Sequence, residues 1–121
     1  VYPLATTYAR HFVAPGAALI GDTAVGMHPV TAHGFNLGLQ GAITLADGIK
    51  AALRRGEDWA GEPVLRAYER THRLASRPIY TATNMIVRLY GDPRPTAQVA
   101  RHAAIRLGRR MPFLKGAVRS M

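Results

Sequence analysis

The chain has 121 residues, 48% of them hydrophobic, and no cysteine. This composition fits one modest domain or part of one, and it excludes disulfides, thiolate metal sites and thiol catalysis. The formal net charge of +9 lies entirely in the second half, because residues 1–60 balance four basic against four acidic residues and residues 61–121 hold twelve against three. A basic half is typical of contact with nucleic acid or anionic lipid, but it also arises from solvated arginines on an ordinary helical face, and we favour the second interpretation.

Two short strands are predicted within residues 1–21, and a loop over residues 22–34 follows them. The second strand is the apolar run 17–20, which comes after a turn signal at Ala14-Pro15-Gly16. The first strand is indicated by the alternation of Tyr2, Leu4, Thr6 and Tyr8.

Three helices are predicted next, over residues 33–55, 63–90 and 95–110. Gly56 follows two arginines, as is common just past a helix end, and Pro63 stands at an early helical position. Pro78 is expected to kink or break the second helix. The first helix is expected to carry one apolar stripe, formed by Phe35, Leu39, Ala42, Leu45, Ala46, Ile49 and Leu53. In the second helix the expected core residues are Met85, Ile86, Leu89 and Tyr90. The predicted fold is mainly α, with one short N-terminal strand pair.

The segment GDTAVGMHPVTAHGFNLGL, residues 21–39, carries the strongest functional signal. Asp22 directly follows a predicted strand, and the nearby helix start offers unpaired N–H groups and the positive end of the helix dipole. Gly34 and Gly38 lack a Cβ and permit close approach of a ligand or of neighbouring backbone. These features suit a ligand that presents hydroxyl groups to the acid and electron-rich oxygens to the helix.

The longer segment LIGDTAVGMHPVTAHGFNLGLQGAITLADGI resembles the second flavin-binding motif of the FAD-dependent aromatic hydroxylases, most closely the ubiquinone-biosynthesis hydroxylases that act on polyprenylated phenols. The flanking segments VYPLATTYARHFVAPGAALIGD and YERTHRLASRPIYTATNMIVRLYGD are similar to the same subgroup. The resemblance therefore covers essentially the whole chain. It implies that residues 1–121 form the C-terminal third of an α/β, Rossmann-like FAD-binding monooxygenase fold, because the GxGxxG fingerprint of the first half does not occur in them.

Carried over position by position, the resemblance assigns flavin contacts to six residues. Asp22, with Gly21 before it, matches the acid that binds the ribityl or ribose hydroxyls, and Pro29 matches the loop proline beside the ring. The helix start whose backbone meets the pyrimidine edge is matched by Gly34, Phe35 and Asn36. The sequence departs from the family pattern at Thr23, Val25, Ala32-His33 and Gly41, where alanine, histidine, Gly-Gln and aspartate are usual.

For an intact enzyme the resemblance implies FAD as the cofactor, NAD(P)H as the reductant and a lipophilic phenol as the substrate. We expect weak or absent FAD binding and no activity from this chain by itself. No side chain in it is a required acid or base for that chemistry, so no catalytic residue is assigned. We expect a cytoplasmic enzyme, and a substrate that partitions into the bilayer implies that the enzyme meets the inner membrane at its periphery.

The residues themselves leave a second function class open, a basic helical module that binds anionic membrane, nucleic acid or a protein partner. No helix-turn-helix or zinc-finger signature is present, so a nucleic-acid partner is not expected. A metal site is not expected either, because His28 and His33 are five residues apart, with Pro29 between them and no third ligand. Unpaired strand edges and apolar residues predict self-association. Whether the chain is a natural short protein or a piece of a longer one stays open.

Overall fold

A computed structural model of the chain describes residues 5–29 and 32–110. Within that part, four two-residue strands precede three helices. The strands are β1 (Thr7–Tyr8), β2 (Val13–Ala14), β3 (Ala17–Ala18) and β4 (Val25–Gly26), with a 3-10 helix at Gly21–Thr23 between the last two. The helices are α1 (His33–Arg54), α2 (Glu62–Gly91) and α3 (Pro95–Arg110). The chain divides into two compact units, Val1–Asn84 and Met85–Met121.

The described strands form two antiparallel pairs, so the expectation of a single N-terminal strand pair is wrong. β2 and β3 make a hairpin around Gly16, whose φ of 69° suits glycine. β1 pairs instead with β4, which lies inside the segment expected to be loop. A Cβ on Gly26 would lie 2.5 Å from the Thr7 hydroxyl oxygen, so this second pairing depends on glycine. The mainly helical fold class is confirmed.

Helix α1 ends in a Schellman motif, the two-bond arrangement that closes many helices. The Glu57 N–H donates to the Ala52 carbonyl at 2.9 Å, and the Gly56 N–H donates to the Leu53 carbonyl at 3.1 Å. Gly56 has a φ of 68°, which explains why glycine stands there. Helix α2, by contrast, continues through Pro78 to Gly91 instead of breaking at it.

The core of the first unit joins the strand segment to α1 and α2. Its buried residues are Phe12, Ala24, Val25, Leu37 and Tyr68. Polar contacts reinforce the same junction, because the Tyr68 hydroxyl donates to the Leu19 carbonyl at 2.6 Å and the Phe12 N–H donates to Glu69 at 2.8 Å. The strand segment is thereby fixed against α2.

Several apolar side chains predicted to be buried are exposed. On α1 the buried residues are Leu37, Gly41 and Ala52, whereas Phe35 and Leu53 of the predicted stripe lie open. In the second unit the expected core residues Met85, Ile86 and Tyr90 are also exposed. Helical periodicity located the apolar faces but could not show which of them this chain covers. None of the helices in the described ranges has the length and apolar character needed to cross a membrane.

Candidate functional site

A cleft of about 370 Å³ lies where the 3-10 helix meets the start of α1. Four of the six residues expected to contact a cofactor line it, namely Gly21, Asp22, Gly34 and Phe35. Pro29 and Asn36 are exposed and do not line this cleft. Two segments that are adjacent in sequence but differ in conformation therefore form one concave surface.

The 3-10 helix presents the Asp22 carboxylate to solvent at the edge of the cleft. The backbone is extended at Ile20 and enters the left-handed region at Gly21, with a φ of 60°. The turn is closed by the Ala24 N–H, which donates to the Gly21 carbonyl at 3.1 Å, and by the Thr23 hydroxyl, which donates to the Ile20 carbonyl at 2.6 Å. Among residues 5–29 and 32–110 the Asp22 carboxylate has no hydrogen-bond or ion-pair partner, so it is available to a ligand.

The start of α1 forms the opposite wall of the cleft. Ala32 precedes the helix in the left-handed region, with a φ of 51°, and no side chain caps the first turn. A non-glycine residue in this conformation is uncommon and costs free energy. Glycine, which is usual at this position in the family pattern, adopts this backbone conformation without that cost. The uncapped turn directs the positive end of the α1 dipole to the cleft.

Close packing between Gly21 and Gly38 brings the two walls together. A Cβ on Gly38 would lie 3.1 Å from the Gly21 Cα, a distance that the backbone would have to widen. The glycine at 38 is therefore explained by the approach of neighbouring backbone.

Leu39 also lines the cleft and is absent from the predicted site residues. Its position follows from helical spacing, since Leu39 lies one turn after Phe35 just as Gly38 lies one turn after Gly34. Phe35 is 79% exposed and Leu39 is 50% exposed. The cleft thus combines one free carboxylate and a helix N-terminus with an open apolar rim.

No group of three or more histidine, aspartate or glutamate side chains in the described part of the chain is arranged to hold a metal ion. The most deeply buried histidine, His72, stacks on Tyr68 with ring centroids 5.6 Å apart and lies 5.5 Å from the Phe12 ring. Burial lowers the pKa of His72, so the neutral ring is favoured. Its environment is that of a core residue and not of a ligand site.

The residues that line this cleft lie in a segment of sequence that is shared with known proteins. Residues 1–83 match the family described as "FAD binding domain". The chain is 45% identical to "Ubiquinone hydroxylase UbiM" of Neisseria meningitidis over 94% of this chain and 25% of that protein. It is 35% identical to "Ubiquinone hydroxylase UbiL" of Rhodospirillum rubrum over 94% of this chain and 27% of that protein. It is 29% identical to "3-demethoxyubiquinol 3-hydroxylase" of Escherichia coli over 94% of this chain and 29% of that protein.

The chain therefore spans between a quarter and a third of the length of these curated relatives. No solved structure matches it.

Proposed function

The chain belongs to the FAD binding domain family, in its ubiquinone-biosynthesis hydroxylase subgroup, and on that basis we propose that it is the C-terminal portion of a flavin-dependent monooxygenase that hydroxylates a polyprenyl phenol. The observation that carries the proposal is the cleft between the 3-10 helix and α1, which brings Asp22 and the uncapped helix start together. Both segments lie within the matched residues 1–83.

The chemistry of the cleft fits a flavin. Asp22 offers a free charged acceptor to hydroxyl groups, such as those of a ribityl chain. The first turn of α1 offers backbone N–H groups and a partial positive charge, which favour the electron-rich pyrimidine edge of the ring. The open faces of Phe35 and Leu39 offer apolar contact to a planar aromatic system.

When bound, the flavin supplies the transfer of reducing equivalents from NAD(P)H to O₂. This chain contributes orientation and electrostatics, since the α1 dipole stabilises negative charge at the ring edge. Asp22 would hold the cofactor by accepting hydrogen bonds from the ribityl hydroxyl groups. The exposed apolar residues of α1 are the surface against which the rest of the enzyme excludes water from the site.

Oxygen transfer to a phenol tests this function directly. The full-length protein is incubated with NADPH, isotopically labelled O₂ and a polyprenyl phenol, and the product is analysed by mass spectrometry. We expect the product to carry one labelled hydroxyl oxygen on its aromatic ring, and we expect FAD to co-purify with the protein. A protein that carries no flavin and yields no labelled product from a series of such phenols would contradict the proposal.

Contact with the membrane is a second part of the proposed function, because a polyprenyl substrate partitions into the bilayer. The support lies in α3, where Val99 and Ile105 are exposed on a helix that also carries exposed Arg106 and His102. A basic helix with apolar side chains can lie on an anionic lipid surface. We accordingly propose peripheral contact with the inner membrane, and we propose self-association of the isolated chain.

A further inference from the structure

A second cleft, of about 380 Å³, lies on the first unit and shares no residue with the flavin candidate. Residues 66, 70 and 73 on α2 face it, since they are spaced by one and two helical turns, and the loop after β1 supplies the remaining wall. The lining residues are Arg10, His11, Arg66, Glu69, Arg70 and Arg73. Four arginines against one glutamate leave a formal charge of +3 with His11 neutral.

Glu69, the one carboxylate among the described residues that line this cleft, already binds its neighbours. Glu69 accepts the Phe12 N–H at 2.8 Å and an Arg73 N–H at 3.2 Å. The Phe12 N–H bond and then the Arg73 guanidinium hold the pKa of Glu69 below its usual value, so it stays ionised and bound. Glu69 therefore does not serve as the counterion of the other arginines.

Arg73 is fixed in place by several contacts. It also donates to the backbone carbonyls of Ala9 and Arg10, and its guanidinium lies 4.4 Å from the Phe12 ring centroid. Arg66 forms an ion pair with Glu62. By contrast, Arg10 and Arg70 have no ion-pair partner among the residues that the structure describes.

Two exposed guanidinium groups without an ion-pair partner among the described residues thus line one cleft with a third that is held in place. Guanidinium groups donate paired hydrogen bonds in a geometry that matches phosphate oxygens. We propose that this cleft binds a phosphate group and that Arg10 and Arg70 are its direct ligands. Arg73 is a positioning residue, because its hydrogen bonds to the backbone hold the loop after β1 against α2. The phosphate belongs either to a soluble phosphorylated molecule or to a lipid headgroup.

Chemical protection of individual arginines tests the assignment residue by residue. The full-length protein is treated with phenylglyoxal at constant ionic strength, and the modification rate of each arginine is followed by mass spectrometry. One arm adds inorganic pyrophosphate, a second adds phosphatidylglycerol vesicles, and a third adds sodium chloride alone. Arg54, an exposed arginine at the end of α1 outside both clefts, is the internal control.

At a pyrophosphate concentration ten times its Kd, modification of Arg10 and Arg70 should slow about tenfold while Arg54 is unchanged, because only the unliganded fraction reacts. Protection by pyrophosphate identifies a soluble phosphate ligand, and protection by vesicles alone identifies a headgroup. Arg66 lines the same cleft, so its modification should slow as well and can report on the variants. The double variant Arg10→Gln/Arg70→Gln should abolish this protection of Arg66, whereas Lys50→Gln/Arg54→Gln, which removes the same charge from α1, should preserve it. Equal rates in all three arms, or equal slowing of Arg54, would overturn the proposal.

Discussion

Replacement of Gly41 by alanine should destabilise the fold, although alanine is the better helix former. Gly41 is buried in α1, and a Cβ at this position would lie 2.7 Å from Cε1 and 2.9 Å from Nε2 of His72. The His72 ring has little room to yield, because it is 2% exposed and stacks on Tyr68 with an interplanar angle of 13°. Overpacking of this kind costs about 1–3 kcal/mol.

Gly48 is the matched control, since it lies in the same helix and an added Cβ would be 3.5 Å from the nearest Val64 carbon, an ordinary contact. Both substitutions gain about 1 kcal/mol of helix propensity, so this gain cancels when the two variants are compared. Gly48→Ala should therefore exceed Gly41→Ala in free energy of unfolding by about 2 kcal/mol.

Urea unfolding followed by circular dichroism measures that difference. The clash should disappear in a His72→Ala background, where Gly41→Ala should no longer lower the free energy of unfolding. Equal stability of the two glycine variants, or a loss at Gly41 that persists without His72, would refute the packing argument.

Three further predictions follow from the same structure. Ala32→Gly should raise the free energy of unfolding, measured by urea unfolding, by about 1 kcal/mol, because Ala32 has a φ of 51° and glycine adopts that conformation without steric cost. The free energy of unfolding should fall as the pH drops below about 6.5, by at most about 1.4 kcal/mol per pH unit, because His72 binds a proton more readily in the unfolded chain than when it is buried. In urea unfolding at a series of pH values, His72→Phe should reduce this dependence. The chain should co-sediment with anionic but not with neutral vesicles, and added salt should lower the bound fraction. Replacement of Arg106, Arg109 and Arg110 by glutamine should also lower the bound fraction.

The helices were predictable from the sequence because their signals are local. Apolar spacing and the glycine after Arg55 indicated α1, which the structure places at His33–Arg54. The strand pairing was not predictable in the same way. The β1–β4 pair joins residues far apart in sequence, and it depends on a glycine whose necessity appears only when Thr7 lies opposite it.

The candidate site was predicted in part. Asp22, Gly34 and Phe35 followed from a contiguous motif, and the structure brings them into one cleft with Gly21. Leu39 was placed on the apolar stripe of α1 and not among the expected cofactor contacts. Which face of an amphipathic helix is covered depends on tertiary partners, and periodicity does not specify them.

The basic cleft on α2 was missed for another reason. The distribution of net charge along the sequence indicated the third helix, where arginines are most frequent. The spacing of Arg66, Arg70 and Arg73 was visible in the sequence. The contribution of Arg10, and the loss of Glu69 as a counterion, required the folded chain.

FAD titration of the full-length apoprotein tests the central claim most directly. Asp22→Ala should weaken flavin binding by about 10- to 150-fold, since a hydrogen bond to a charged group is worth about 1.5–3 kcal/mol. Asp47→Ala, which removes an exposed carboxylate of α1 outside the cleft, should leave the affinity unchanged. Unaltered affinity in Asp22→Ala, or an equal loss in Asp47→Ala, would contradict the assignment of the cleft between the 3-10 helix and α1 as the flavin site.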